Sequence, residues 1–301
     1  MLRVLFYTAP KWAFGAIHNG LIKRLREFNV QADVLSWSDN YTLEEFQHIQ
    51  RSYDYVVTTP DSVFVVCDKS QYQVPLSKVV VIAHHSRDFY LGTERMGGID
   101  FYDELAQVAC VHQSIADIAK QIGVQRKVHV VTVGVDTPMF AGPPAQTLET
   151  IGHVGTHQFI QFDGNDCKRP ELLNRVLEGM AVSYIDHPKQ HYLAMPARYW
   201  DIDATVVTSS YESVGLPYLE SAAAGRLVIG TPTGYFEAHH AGLGALCRMD
   251  PEGFVRDARA AIAYYRDSPR AYRERCQQVQ EYCRQTFDWS KTIPTWLEVL
   301  V

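Results

Sequence analysis

The sequence predicts an α/β protein with parallel sheets, arranged in two domains. Short apolar runs typical of strands alternate with helical segments along most of the chain, which is the order that builds parallel sheets. The run 78–83 is apolar at every position after its lysine, as expected of a strand buried on both faces. The chain has 301 residues, which is enough for two domains of ordinary size with a core in each.

Composition and charge exclude several classes of protein. Hydrophobic residues make up 47% and charged residues 21%, the balance of a globular rather than a disordered chain. The net charge of −6 argues against nucleic-acid binding that is dominated by electrostatic attraction. The six cysteines show neither a Cys-x-x-Cys pair nor zinc spacing with histidine, so we expect reduced thiols. No apolar run is long enough for a membrane span or a signal peptide, which favours a cytoplasmic protein.

The first half of the chain predicts one sheet with helices between its strands. We expect strands at 2–7, 31–37, 53–59, 78–83, 107–112 and 127–133, and helices over 17–25, over 41–51 and from Ser114. Gly15 falls in the predicted loop between the first strand and the first helix, where a glycine brings the backbone near a ligand, although a plain turn is the alternative. The Gly-x-Gly-x-x-Gly motif is absent, which argues against a dinucleotide oxidoreductase.

The second half predicts another alternating set of strands and helices. We expect strands at 150–155, 181–185 and near 206 and 227, and helices from Pro170, over 252–265, over 269–285 and at the end of the chain. The turn-rich Gly142-Pro143-Pro144 predicts that the first domain closes near residue 145.

The stretch from Val206 to Gly230 predicts a strand, a loop, a short helix and a second strand. Pro217 suits the start of the helix and Gly225 suits its end. The helix N-terminus should present free amides near Gly215, Leu216 and Tyr218 together with the positive end of its dipole, which favours phosphate binding. Gly215 would let a ligand approach the backbone closely.

Two carboxylates, Glu212 and Glu220, flank this predicted phosphate site. Carboxylates repel phosphate, so each is better explained as an acceptor for neutral hydroxyl groups on either side of a diphosphate. A nucleotide-sugar has that layout, with ribose hydroxyls on one side of its diphosphate and sugar hydroxyls on the other. The alternative is that Glu212 is a solvated loop residue and Glu220 an ordinary acid favoured by the helix dipole.

The stretch 209–225 resembles the paired-glutamate (Glu-x7-Glu) motif of the retaining GT-B glycosyltransferases of family 4 type, those built like sucrose synthase and glycogen synthase. The resemblance implies a GT-B architecture, with two Rossmann-like domains whose parallel sheets face each other across a cleft. It also implies that Glu220 binds the ribose of the donor and that Glu212 lies beside the transferred sugar.

Other segments extend this resemblance. Residues 134–140 resemble the family's Asn-Gly-Val-Asp-x-x-x-Phe junction, with Val133 in place of the asparagine, and 231–237 resemble the loop after the motif. The turn with Met195 and Pro196 resembles the region where relatives hold the nucleotide base. Relatives also return to the first domain through a final helix. The expected domains are therefore 1–145 with 288–301 on the acceptor side, and 146–287 on the nucleotide-sugar side.

The chain departs from the family where relatives bind the diphosphate with an arginine and a lysine soon after a glycine. Here Thr156 and His157 follow the matching Gly155, and the next lysine and arginine are Lys168-Arg169. We assign diphosphate binding to Lys168, with Arg169 as its helper and Gly155 as part of the donor site.

His84 and His85 follow the predicted strand 78–83, at the sheet edge where ligands bind in such folds. A solvent-exposed or locally bonded imidazole is the alternative for either residue. Relatives commonly carry a histidine at this strand end that contacts the donor sugar or phosphate, which favours His84, with His85 as the second choice.

The resulting hypothesis is a retaining hexosyl- or pentosyltransferase that uses a nucleotide-diphosphate-sugar. Catalytic roles fall to Glu212, His84 and Lys168, and we expect no cofactor and no metal because fixed positive groups stabilise the leaving diphosphate. The acceptor stays open among a glycan, a lipid, a metabolite, a protein and a modified nucleic-acid base, as does the oligomeric state. The alternative function is a noncatalytic nucleotide-sugar-binding or partner-binding GT-B module. A phosphorylase-like enzyme is less favoured because no lysine stands where its Schiff-base cofactor would bind.

Overall fold

The computed structural model describes residues 1–9, 12–68, 71–156, 158, 166–188 and 191–301. These residues contact one another in two units. The first unit comprises Met1–Gly134 together with Thr292–Val301, and the second comprises Val135–Lys291. The chain therefore leaves the first unit once and returns to it through its last residues.

The first unit is built on a six-stranded parallel sheet. Its strands are β1 (Leu2–Thr8), β2 (Val30–Ser36), β3 (Tyr55–Thr58), β4 (Val79–Ala83), β5 (Gln107–Cys110) and β6 (Val128–Val130). They lie in the order β2-β1-β3-β4-β5-β6. All five residues of β4 are buried, as the uninterrupted apolar run predicts.

Six α-helices connect these strands in the described part of the unit. They are α1 (Trp12–Leu25), α2 (Leu43–Gln50), α3 (Val63–Cys67), α4 (Ser86–Met96), α5 (Phe101–Glu104) and α6 (Gln113–Gln121). Helix α2 begins with a capping box, in which the Thr42 side chain accepts from the amide of Glu45 and the Glu45 carboxylate accepts from the amide of Thr42. Helix α6 was predicted to open at Ser114, but the capping residue is His112, whose Nδ1 accepts from the Ser114 amide at 3.2 Å.

The sequence predicted Gly15 in a loop, but the structure places it in a helix. Helix α1 begins at Trp12, so Gly15 is buried in its first turn, where its carbonyl accepts from the Asn19 side chain at 2.7 Å. The loop from β1 to α1 includes residues 10–11, which lie outside the described residues.

The second unit is built on a five-stranded parallel sheet. Its strands are β7 (Thr150–Gly155), β8 (Ser183–Pro188), β9 (Ala204–Val207), β10 (Leu227–Gly230) and β11 (Gly244–Leu246). They lie in the order β11-β10-β9-β7-β8, so the two sheets share one arrangement in which the second strand pairs outside the first.

The remaining α-helices precede, separate or follow these strands. They are α7 (Thr137–Phe140), α8 (Pro170–Leu177), α9 (Met195–Trp200), α10 (Leu216–Ala223), α11 (Pro251–Asp267), α12 (Pro269–Phe287) and α13 (Trp289–Leu300). The core of this unit is formed by apolar residues of the sheet with buried side chains of α8, α11 and α12. Among the described residues, no helix combines the length and the apolar character needed to cross a membrane.

The sequence placed the domain boundary near residue 145, whereas the contacts place the change of unit at 134/135. The Gly142 carbonyl accepts from the Gln280 side chain at 3.0 Å, and the Ala145 amide donates to the Gly225 carbonyl at 3.1 Å. The turn-rich segment is therefore already packed on the second unit. At the other end, the indole of Trp296 donates to the Thr132 carbonyl at 2.7 Å, within the first unit.

Candidate functional site

In the second sheet the strand order reverses at β7, and several of the predicted site residues follow β7 and its neighbour β9. The chain passes from β7 to β8 on one side and returns to β9 on the other side of β7. Ligands of parallel α/β sheets bind beyond the carboxyl ends of the strands at such a switch point. Gly155 is the last residue of β7, and the loop after it carries Lys168 and Arg169. The loop after β9 carries Glu212 and leads into α10.

The last residue of β7 is a glycine in an unusual backbone conformation. Gly155 has a φ of 129°, and a Cβ atom added there would meet no atom of the described residues within 4 Å. The loop beyond it contains residues 157 and 159–165, so His157 and most of the segment between Thr156 and Lys168 lie outside the described residues.

Helix α10 begins without a side-chain cap at Gly215. This glycine has φ 75°, and a Cβ there would lie 2.3 Å from the ring of Tyr218, so both conformation and space require glycine. Pro217 is the second helical residue and has no N–H, and the Tyr218 amide donates to the Gly215 carbonyl at 2.9 Å. In the described chain, the amides of Gly215 and Leu216 have no protein acceptor, so these two are the donors left for a ligand.

The loop after β10 holds this helix start in position. The Tyr235 amide donates to the Val214 carbonyl at 3.0 Å, and the hydroxyl of Tyr218 lies 2.8 Å from that of Thr233. Gly234 has φ 56°, and a Cβ there would be 2.5 Å from the Val214 carbonyl oxygen. The segment resembling the family's loop after the motif therefore packs directly against the N-terminus of α10.

Glu212 is held by a cation and a hydroxyl. Its Oε1 accepts from the ammonium group of Lys168 and from the Ser209 hydroxyl, the latter at 2.7 Å. The side chains of Lys168 and Glu212 are only 19% and 14% exposed, so water screens their attraction weakly. The structure thus brings together the predicted diphosphate cation and one of the two predicted acceptor carboxylates.

Arg169 is turned toward protein carbonyl groups. Its guanidinium donates to the carbonyls of Thr208 at 2.7 Å, Ser209 at 3.3 Å and Met249 at 2.9 Å. The residue itself has φ 48° just before α8, and burial lowers the pKa of the guanidinium. These contacts fasten the loop after β7 to the loop after β9, beside Lys168.

Glu220 has a different environment from Glu212, because it is buried next to a neutral partner. The residue is 5% exposed, and its Oε2 accepts from the phenol of Tyr199 at 2.9 Å. Burial raises the pKa of the carboxyl to about 7, and the hydrogen bond from Tyr199 acts in the opposite direction. The carboxyl is therefore close to its midpoint of ionisation at neutral pH.

Sequence reasoning missed two residues that support Glu220. Tyr199 lies on α9, the helix that begins with the predicted Met195 and the buried Pro196. The buried guanidinium of Arg226 donates to the Tyr199 carbonyl at 2.9 Å and to the Ala224 carbonyl at 3.0 Å, which joins α9 to the end of α10. A tyrosine in a short turn and an arginine after a helix-ending glycine carry no local signal of such contacts.

His84 and His85 both lie at the carboxyl end of β4 in the first unit, with different partners. His85 caps α4, since its Nδ1 accepts from the Arg87 amide at 2.9 Å. The His84 amide donates to Asp88 at 2.7 Å, and its ring lies edge-on to His18 at 5.8 Å. His84 is 8% exposed, and burial lowers its pKa to about 4, so the imidazole is neutral at physiological pH.

The predicted donor residues other than His84 and Gly15 all belong to the second unit. No cluster of three or more histidine, cysteine, aspartate or glutamate side chains suited to a metal ion occurs within the ranges that the structure describes.

Comparison with known proteins gives structural but no sequence relatives. No protein-family profile matches the chain, and no curated protein sequence matches it significantly. The structure is similar to HepE of Anabaena in complex with UDP-glucose, with a TM-score of 0.67 and 14% identity over 100% of this chain and 99% of that one. It is similar to sucrose-phosphate synthase from Thermosynechococcus elongatus, with a TM-score of 0.66 and 12% identity over 99% and 98% of the chains.

A third similar structure is the catalytic domain of starch synthase IV from Arabidopsis thaliana, bound to ADP and acarbose. Its TM-score is 0.69 at 10% identity, covering 99% of this chain and 98% of that one. At such identities the similarity establishes architecture, and these neighbours are GT-B glycosyltransferases. The chain has the GT-B fold, with two units built on parallel sheets of six and five strands.

Proposed function

We propose that the chain is a glycosyltransferase that takes its sugar from a nucleotide-diphosphate-sugar. The observation that carries this proposal is the arrangement around the start of α10: an uncapped helix N-terminus, with Glu212 and Lys168 paired before it and Glu220 buried within it. The similar structures with UDP-glucose and with ADP support a nucleotide ligand for this fold.

The diphosphate would bind at the start of α10. The amides of Gly215 and Leu216 and the helix dipole favour an anion there, and the ammonium group of Lys168 adds a positive charge. A diphosphate would compete with Glu212 for that ammonium group, so donor binding would loosen the ion pair. Arg169 would act as a helper by holding the two loops together through its three carbonyl contacts.

The two glutamates would then bind different ends of the donor. Glu220 would accept from the ribose, near the turn of Met195 and Pro196 that would hold the base, and Gly155 would give the donor room beside β7. Glu212 would lie beside the sugar that is transferred. His84 and Gly15 belong to the first unit, and their contact with the donor stays a prediction from the resemblance.

We infer that transfer proceeds with retention at the anomeric carbon and without a metal ion. The protein would act mainly by positioning the donor and by stabilising the departing diphosphate with fixed positive groups. Proton NMR of the product formed from an α-linked donor tests retention, because an inverting enzyme would give the β-anomer first. Turnover that stops after treatment with EDTA would contradict the metal-free mechanism.

The first experiment for the donor site is a panel of nucleotide-sugars and of uridine, guanosine, adenosine, cytidine and thymidine diphosphates. A nucleoside diphosphate at about a hundred times its dissociation constant should stabilise the unit that binds it by roughly 2.7 kcal/mol, which raises its melting temperature. If no member of the panel changes the melting temperature, the donor-site proposal fails.

The alternative function is a noncatalytic module that binds a nucleotide-sugar or a partner. The engagement of Lys168 by Glu212 and of Arg169 by carbonyl groups favours this alternative, because both predicted cations already have protein partners. Release of nucleoside diphosphate from the bound donor separates the two functions. A glycosyltransferase releases it, at least slowly by hydrolysis and faster with acceptor, whereas a module binds the donor and leaves it intact.

A further inference from the structure

The carboxylate of Glu220 is fixed by a contact that the proposed function does not explain. The phenol of Tyr199 donates to Oε2 at 2.9 Å, and both side chains are buried. Within the described chain, the hydrogen bond from Tyr199 is the one that reaches the Glu220 carboxylate, and it goes to Oε2. One carboxylate oxygen thus has a protein partner, and the other stays available to a ligand.

Tyr199 is itself held in place from its other side. Arg226 donates from Nε to the Tyr199 carbonyl at 2.9 Å and from Nη1 to the Pro143 carbonyl at 2.8 Å. The indole of Trp200, the next residue, donates to the Phe140 carbonyl at 3.1 Å. The phenol that meets Glu220 therefore comes from a segment with several anchors, which limits the movement of its oxygen.

We propose that Tyr199 is a positioning residue, an inference that rests on the proposed donor site. The Tyr199 phenol holds Oε2 of Glu220 so that Oε1 accepts a ribose hydroxyl of the donor. An ionised carboxylate accepts hydrogen bonds on both oxygens, whereas a protonated one turns one oxygen into a donor. Positioning and ionisation are linked, because the phenol hydrogen bond favours the charged form that the donor needs.

No other titratable side chain of the described residues accounts for the shifted pKa of Glu220. Burial raises this pKa, and the hydrogen bond from Tyr199 lowers it. Several elements pack against α10. Among them, β9, β10 and α7 carry no titratable residue. On α9, the guanidinium of Arg198 lies 3.9 Å from the Asp201 carboxylate. Cys283 of α12 donates to the Leu219 carbonyl, and His240 lies 2.6 Å from the Tyr282 hydroxyl. His239 lies 3.7 Å from Glu237.

The first test uses the ligand-free protein and does not depend on the proposed function. The carboxyl carbon of Glu220 is followed by NMR in protein labelled at glutamate, with its signal assigned by its loss in Glu220→Gln. We expect ionisation near pH 7 in the wild type and at a clearly higher pH in Tyr199→Phe, which loses the hydrogen bond to the charged form. An unchanged ionisation in Tyr199→Phe overturns the proposal.

Tyr272→Phe is the matched control. Tyr272 is also a buried tyrosine of the second unit, and its hydroxyl donates to the Asp203 carbonyl at 2.6 Å. The same chemical change therefore removes a buried hydrogen bond that does not involve Glu220. We expect the Glu220 signal of Tyr272→Phe to titrate as in the wild type. An equal shift in both variants would overturn the proposal, because it would show a general loss of packing rather than the loss of one specific hydrogen bond.

The second test measures the affinity for UDP-glucose between pH 6 and 8.5, a range in which its diphosphate diester does not titrate. Wild-type affinity should fall by about tenfold from pH 8 to pH 6, and Tyr199→Phe should bind several-fold more weakly at pH 7 and keep part of that loss at pH 8.5, where the carboxylate is ionised but no longer held by the phenol. Glu220→Gln should show no such pH dependence. A Tyr199→Phe variant with the affinity and pH profile of the wild type overturns the proposal.

A wild-type protein that binds neither UDP-glucose nor any other nucleotide-sugar of the panel contradicts the proposed function instead. The ligand-free titration alone then decides whether Tyr199 holds the Glu220 carboxylate. A shift of the Glu220 pKa in Tyr199→Phe supports the positioning contact, and the absence of a shift overturns it.

Discussion

Glu212 and Glu220 lie on either side of the start of the same helix, yet the protein surrounds them in opposite ways. Glu212 is paired with the ammonium group of Lys168 and accepts from the Ser209 hydroxyl. Glu220 is buried, with the neutral phenol of Tyr199 as its partner. Their spacing in the sequence suggests a matched pair. Among the residues that the structure describes, a positive charge balances Glu212 but none balances Glu220.

In the proposed function, the two residues would respond to different events. Glu212 would give up or share its cation when a diphosphate binds, so its environment would depend on that ligand. Glu220 would ionise in a buried place, where ligand hydroxyl groups would supply the hydrogen bonds that a charge requires. A buried carboxyl with a raised pKa is a frequent mark of functional sites, because burial without a countercharge destabilises the folded protein.

The largest effect that tests this comparison is on stability as a function of pH. The pKa of Glu220 rises from 4.5 in the unfolded chain to about 7 in the folded one, so the folded state holds an extra proton between these values. The free energy of unfolding should therefore fall as pH rises from 4.5 to 7, by roughly 3 kcal/mol from this group. Above pH 7 the contribution is constant.

Glu220→Gln should lack this pH dependence, and its stability relative to the wild type should grow between pH 5 and pH 8. Chemical denaturation at both pH values measures the difference, and comparison with the variant removes the contribution of Asp88, whose pKa burial also raises to about 7. Glu178→Gln, at an exposed position of the same unit, is the control. A constant stability difference for Glu220→Gln would show that Glu220 is not the buried acid described here.

The next effect is on nucleotide binding. Glu220→Ala should weaken binding of a nucleoside diphosphate tenfold or more, because charged hydrogen bonds to ribose contribute roughly 1.5–3 kcal/mol each. Isothermal titration calorimetry measures the change, again with Glu178→Ala as the control. Unchanged affinity would mean that Glu220 serves only the fold.

A smaller effect concerns the ion pair of Glu212. A double-mutant cycle with Lys168→Met and Glu212→Gln in the ligand-free protein should give a coupling of about 1–2 kcal/mol, because both side chains are largely shielded from water. Nucleoside diphosphate should reduce this coupling by drawing the ammonium group away from Glu212. Additive single effects in the ligand-free protein would contradict the pairing.

Much of the architecture could be predicted from the sequence because it depends on local patterns. The alternation of apolar runs and helices predicted two parallel sheets, and the small-residue run between Pro217 and Gly225 predicted α10. Predictions failed where a boundary lacks a local signal. Gly15 was predicted in a loop because the apolar stripe of the helix is recognisable only from Ile17, and Ser114 was predicted to open α6 because serine is a common capping residue.

Contacts within the candidate site were less accessible to sequence reasoning. The pairing of Lys168 with Glu212 joins two loops that follow different strands, and it depends on the adjacency of β7 and β9 in the sheet. The Tyr199 contact depends on how α9 packs against α10, and the position of Arg169 depends on carbonyl groups that any sequence could provide. Side-chain identity suggests a role, but only tertiary packing determines the partner.

The most direct test of the account is a paired measurement of nucleoside diphosphate affinity and donor turnover in three variants. Glu212→Gln keeps its shape but loses its charge, so it should bind nucleoside diphosphate at least as well as the wild type while turnover of the nucleotide-sugar falls. His84→Ala should behave like Glu212→Gln if it contacts the sugar, and Glu220→Gln should lose affinity for diphosphate and donor alike. If Glu212→Gln loses as much nucleoside diphosphate affinity as Glu220→Gln, the assignment of the two glutamates to different ends of the donor is wrong.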